Sequence, residues 1–131
     1  MTEPLSHIDL AMARVVHTAT DLVEVHIRPD TRIDIAGIRA ALEARRHMLG
    51  GRKGGLIFFA EGDLDWERAA LQTDLFGADA YSITSMGVLV TNKVLAMAAN
   101  TYFGLFPPPF PTRVDNDLLA LCEWQSEVEQ R

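Results

Sequence analysis

A chain of 131 residues, 48% hydrophobic and 23% charged, has the makeup of one ordinary globular domain and needs no metal or disulfide to close a core. Its net charge of −6, with no block of Lys/Arg to offset it, leaves no basic stripe for a phosphate backbone and argues against nucleic-acid binding. The single cysteine, Cys122, excludes a disulfide framework within the chain and suits a reducing, cytoplasmic setting.

The opening MTEPLSHIDLAMAR has no basic start followed by a long apolar run, so it does not read as a signal peptide. Residues 1–10 are expected to be a loose lead-in to a single domain over 1–131. Ala13–Thr18 and Leu22–Arg28 read as a hairpin around a polar turn. In its second strand Val23, Val25 and Ile27 alternate with Glu24, His26 and Arg28, the pattern of a strand with one wet face.

Asp34 is placed to cap a helix that runs to about Leu49 and stops at Gly50-Gly51. Leu56–Ala60, LIFFA, is a continuous apolar run of the kind found in a parallel strand covered on both faces. After an acidic loop, Glu61–Asp65, a second helix is expected over roughly Asp65–Phe76, with Trp66, Ala69, Ala70 and Leu75 inward.

Gly87–Arg113 is the best-punctuated stretch of the chain. It ends a strand predicted over Tyr81–Val90, turns at Thr91-Asn92, and enters a helix from Lys93 to Leu105. Apolar residues surround that helix, which predicts burial on more than one side. Pro107-Pro108-Pro109 ends it. Pro111–Val114 is a short last strand. Asp115 or Asn116 then caps a helix with Leu118, Leu121, Cys122, Gln125 and Val128 inward. No apolar stretch approaches the roughly 18 residues of a membrane-spanning helix. The predicted architecture is therefore α/β. A single, mostly parallel sheet of about five strands, in the order ββαβαβαβα with the first strand antiparallel, packs with four helices.

In such a sheet ligands gather at the carboxyl ends of the parallel strands. Here those ends are Arg28–Asp30, Glu61–Asp65, Thr91–Lys93 and Arg113–Asp115. Asp63 and Asp65 could hold a divalent cation, but no further ligands follow at metal spacing, so a helix cap is the preferred reading. Asn92 and Lys93 could meet an anion at a helix start, or Asn92 could cap while Lys93 stays solvated. Arg113 reads as an ion pair with Asp115, Asp63 or Asp65 ahead of a ligand clamp.

The glycine-rich Gly50–Gly55 follows a helix and opens a strand, the reverse of a phosphate loop, and reads as a turn. His7, His17, His26 and His47 lack metal-ligand spacing and read as surface residues. Neither Cys122 nor Ser82, Ser85 or Ser126 sits in a nucleophile motif. No catalytic set, metal site or cofactor motif is found. Tyr102, Phe103, Phe106 and Phe110, crowded together beside Leu105, read as core, as the wall of an apolar pocket, or as an interface.

The element order and the stretch VLVTNKVLAMAANTYFGLFPPPFPTRVDNDLLALCEW resemble a group of small bacterial proteins of unknown function that are similar to the STAS domain, the anti-sigma-factor-antagonist fold. The resemblance spans about Ala13 to Glu129. It is most specific in Asn100–Arg113 and in the helix carrying Ala120-Leu121-Cys122-Glu123-Trp124. It implies helices packed on a sheet whose first strand is antiparallel, in a regulatory or binding module without catalysis. STAS antagonists are switched by phosphorylation of a serine just after the third strand. The matching stretch, Ala60–Trp66, contains no Ser or Thr, which argues against kinase control here.

The resulting expectation is a cytoplasmic, non-enzymatic STAS-like module, dimeric or bound to another protein. The alternative is a carrier of a small apolar or amphipathic ligand with Lys93 or Arg113 at its mouth. An enzyme using Asp63, Asp65, Asn92 and Lys93 is the weakest reading.

Overall fold

A computed structural model describes residues 5–62 and 64–130. Strands β1 (Ser6–Asp9), β2 (Ala13–Ala19), β3 (Leu22–Ile27), β5 (Gly54–Ala60), β7 (Ile83–Val90) and β8 (Thr112–Asp115) form one sheet in that spatial order. β4 (Arg32–Ile33) and β6 (Asp65–Trp66) make a small parallel ribbon of their own. The helices are α1 (Ile35–Leu49), α2 (Lys93–Leu105) and α3 (Leu118–Glu129). β1, β2 and β3 pair antiparallel, and the remaining junctions of the main sheet are parallel.

The parallel strands form where local sequence and packing agree. Every residue of β5 is buried, as its unbroken apolar run requires. β3 alternates, with Val23, Val25 and Ile27 buried and Glu24 and His26 half-buried. α1 starts at Asp34, whose Oδ1 accepts from the Gly37 amide at 2.6 Å, and stops at Gly50, where φ is 58°. α2 starts at Asn92, whose Oδ1 accepts from the Val94 amide at 2.8 Å. α1 and α2 cover one face of the sheet around Leu42, Leu56, Phe58, Met86, Val88 and Leu95. α3 covers the other around Ile57, Phe59, Leu89 and Leu121. Gly87 permits that second contact, because a Cβ there would come within 3.0–3.1 Å of the Leu121 side chain.

Several expectations are corrected. Among the described residues the main sheet has six strands instead of about five, and there are three α-helices instead of four. The sixth strand is β1, which the lead-in reading of residues 1–10 passed over; it pairs along β2 from Ser6↔His17 to Asp9↔Arg14. The missing helix is Asp65–Phe76. That segment is a strap containing β6 and the short 3₁₀ turn Ala70–Gln72, followed by a second turn, Gly77–Asp79. Polar side chains take over its backbone groups: Asp65 Oδ1 accepts from the Trp66 amide at 2.9 Å, and Thr73 Oγ1 donates to the Ala69 carbonyl at 2.7 Å. Backbone pairing of Ile33 with Trp66 then holds the strap extended.

α2 is buried on one side only, through Leu95, Ala99 and Tyr102, while Val94, Met97 and Leu105 are 66–74% exposed. α3 is capped by Asp117, which accepts from the Ala120 amide at 3.2 Å, and not by Asp115 or Asn116. Its buried residues are Leu121 and Gln125, whereas Cys122 and Leu118 are exposed.

Candidate functional site

β3, β5 and β7 run parallel and end at Ile27, Ala60 and Val90. All three residues line a small hollow of about 40 Å³ at the carboxyl edge of the sheet. Ile38 of α1 and Leu95 and Tyr102 of α2 form its sides, and Trp66, Leu75 and Phe76 of the strap close it. The wall is entirely apolar. The hollow exceeds the roughly 10–15 Å³ that one water needs, but a lining without polar partners does not hold water well.

Two of the lining residues carry polar groups, although no polar atom faces the hollow itself. The hydroxyl of Tyr102 accepts from the Leu75 amide at 2.8 Å and donates to the Thr73 carbonyl at 2.7 Å, so α2 is latched to the strap. Burial pushes the Tyr102 phenol above its ordinary pKa, and the bond from Leu75 opposes that shift. The phenol therefore stays protonated through neutral pH and keeps both bonds. The second group is the indole Nε1 of Trp66, which is buried and has no acceptor. A buried donor left in that state costs about 1–3 kcal/mol, which is why such groups are rare in folded proteins.

The aromatic residues predicted as core, pocket or interface lie in the core and around the hollow. Tyr102 and Phe110 are buried. Phe103 is half-buried and forms part of the cavity wall. Phe106 is half-buried with its ring centroid 5.2 Å from that of Tyr102. Phe58, expected in a strand covered on both faces, and Phe76 meet edge to face at 5.8 Å among the residues lining the hollow.

The predicted polar residues do not converge. Asp63 lies outside the described residues. Asp65 is exposed and engaged with its own strap backbone. Asn92 caps α2, and Lys93 is exposed in the first turn. Arg113 pairs with Asp115, with Nη2 and Nε both at 3.0 Å. Asp115 is held below the usual carboxylate range, first by the Asp117 amide and then by Arg113. None of these residues lines the hollow.

Several of the residues weighed as nucleophiles or ligands have structural partners. Ser85 donates to Glu129 and accepts from Gln125, joining β7 to α3. Among the described residues no group of three His, Cys, Asp or Glu could hold a metal ion. His17 is buried, contrary to a surface reading, with Nε2 3.2 Å from the Thr20 carbonyl. His26 stacks on Phe59 at 4.1 Å and meets Glu24 at 2.8 Å. Partial burial and nearby Glu24 push the Cys122 thiol up, away from thiolate character.

Among solved structures, this chain is similar to an uncharacterized protein from Shewanella loihica PV-4, of the DUF3478 family and with a SpoIIAA-like fold. The two agree with a TM-score of 0.53 over 91% of this chain and 90% of the other, at 9% sequence identity. The fold is SpoIIAA-like. At that identity the likeness concerns architecture alone, and it agrees with the STAS-like arrangement expected from the sequence. No protein-family model and no curated protein matches the chain. No helix among the described residues is long and apolar enough to cross a membrane.

Within this SpoIIAA-like framework the strap replaces the predicted second helix, and it supplies Trp66, Leu75 and Phe76 to the hollow. The sequence signal for these residues was present only as scattered large side chains. Nothing local showed that they face α2.

Proposed function

We propose that this protein is a non-catalytic, cytoplasmic binding module for a small apolar molecule bearing one hydrogen-bond acceptor, taken up between α2, the strap and the sheet. What supports this reading is the apolar hollow, with Trp66 among its lining residues and the Trp66 Nε1 buried close by without an acceptor, within reach of a ligand only once the strap shifts. A carbonyl or ether oxygen on the ligand would satisfy the indole, and its hydrocarbon part would replace empty space. At about 40 Å³ the hollow is well short of the ~150 Å³ that admits benzene, so uptake requires the strap to move against the Tyr102 latch. The ligand's mouth is then the strap itself, and neither Lys93 nor Arg113.

Acetophenone and ethylbenzene, of similar shape, differ in the carbonyl. Acetophenone should raise the melting temperature more, with an affinity about tenfold higher. Trp66→Phe should erase that preference. No shift with either compound, or a preference that survives in the variant, would count against the reading. Native mass spectrometry of freshly purified protein adds a direct search for retained cargo.

A second reading rests on the outer stripe of α2. Val94, Met97 and Leu105 are exposed large apolar side chains on one helix, which suits contact with another protein or with a second copy of the chain. It predicts a dimer by light scattering at high micromolar concentration that Met97→Glu dissociates. A wild-type monomer under those conditions removes the homodimer.

A further inference from the structure

The opposite, amino-terminal edge of the sheet carries a feature that neither reading uses. Four of the chain's 12 basic residues, Arg45, Arg46, Arg52 and Lys53, fall between the last turn of α1 and the start of β5. Three of them, Arg45, Arg46 and Arg52, line one concavity of about 200 Å³ together with Gly51, Tyr81 and Ser82. This is smaller than the roughly 300–1,000 Å³ of sites for drug-sized ligands. It suits a compact anionic group.

The charges do not cancel there. Arg46 Nη1 meets the buried Asp79 carboxylate at 2.6 Å. Arg52 Nε lies 3.7 Å from the exposed Asp21, and its Nη2 donates to the Thr20 carbonyl at 3.1 Å. Arg45 is wholly buried and forms no ion pair among the described residues. Its Nη groups donate to the Ser82 hydroxyl and to the Ser82 and Gly54 carbonyls, and its Nε has no partner. A guanidinium stays ionised in a protein, so a buried positive charge stands behind the concavity, offset by an Asp79 carboxylate that is already paired with Arg46. The carbonyl end of α1 offsets it only in part. Arg46 and Arg52 are each about half exposed, and Arg46 uses only one nitrogen on Asp79. Guanidinium N–H groups therefore remain for an oxyanion. Tyr81, 79% exposed at the rim, presents an unpacked aromatic ring.

We propose a second binding site here for a small aryl phosphate, its phosphate on Arg46 and Arg52 and its ring on Tyr81. The buried Arg45 contributes field without contact. The glycine-rich turn thus carries a basic rim, although it is not built as a phosphate loop. The site lies across the sheet from the apolar hollow, and its test is independent of the proposed function.

Titration with phenyl phosphate and inorganic phosphate, against sodium chloride at equal ionic strength, reads it out through amide NMR shifts at Gly51, Arg52 and Tyr81. Saturable shifts should appear with both phosphates, and phenyl phosphate should bind about tenfold tighter. Arg52→Gln should weaken both about tenfold, whereas Tyr81→Ala should remove only the phenyl advantage. Both positions are exposed, so unchanged melting temperatures will show that the variants remain folded. The proposal is overturned by shifts that sodium chloride reproduces, by variants that bind like the wild type, by equal affinity for the two phosphates, or by binding confined to a long polyanion such as heparin.

Discussion

Phe58→Ala should lower stability by about 3–5 kcal/mol and turn the small hollow into a larger one. Phe58 is 4% exposed, sits mid-strand in β5, and packs edge to face against Phe76 of the strap. Removing its ring takes apolar area out of the core, and neighbours on a regular parallel strand cannot collapse far into the gap. The enlarged space remains apolar, so it should stay dry and accept benzene. Benzene should therefore raise the melting temperature of the variant more than that of the wild type, where the strap must first move. A loss of less than about 1 kcal/mol, or a variant indifferent to benzene, would show that the strap collapses into the space.

Arg45→Ala should cost a similar amount, about 3–5 kcal/mol, by a different route. Arg45 ties the end of α1 to the starts of β5 and β7 through the Gly54 carbonyl and both oxygens of Ser82. Truncation removes these bonds and opens a cavity. Against that, burial pushes the Arg45 pKa down, with Asp79 opposing and Arg46 adding to the shift, so keeping the cation inside carries its own cost. Arg45→Met retains the stem and removes the charge, and should lose only about 1–3 kcal/mol. Chemical denaturation of the three proteins gives the order. If the methionine variant is more stable than the wild type, desolvation outweighs the bonds, and Arg45 is retained for another reason.

Both predictions depend on residues whose roles differ in legibility. Phe58 was recognisable as buried because LIFFA is an unbroken apolar run. Arg45 was not: on a helix of mixed charge, nothing local separates an arginine that turns inward from Arg39 or Arg46. The starts of α1 and α2 were legible because Asp34 and Asn92 satisfy helix amides within three residues. The alternation of β3 was legible for the same local reason. β1 was missed because SHID has little apolar content and is held by pairing with β2.

The sequence by itself determined which segments become most of the strands and helices and the order in which they follow one another. Those properties are set by caps, turns and hydrophobic period, all acting over a few residues. Only the tertiary structure decided that Asp65–Phe76 is a strap, which side of the evenly apolar α2 faces the sheet, and that Trp66 and Tyr102 share one hollow. A helix that is apolar all round has no local signal for its buried side. The strap's Trp66, Leu75 and Phe76 bury their surface against residues far away in the chain, and that packing overrides the weak helical preference of their own segment.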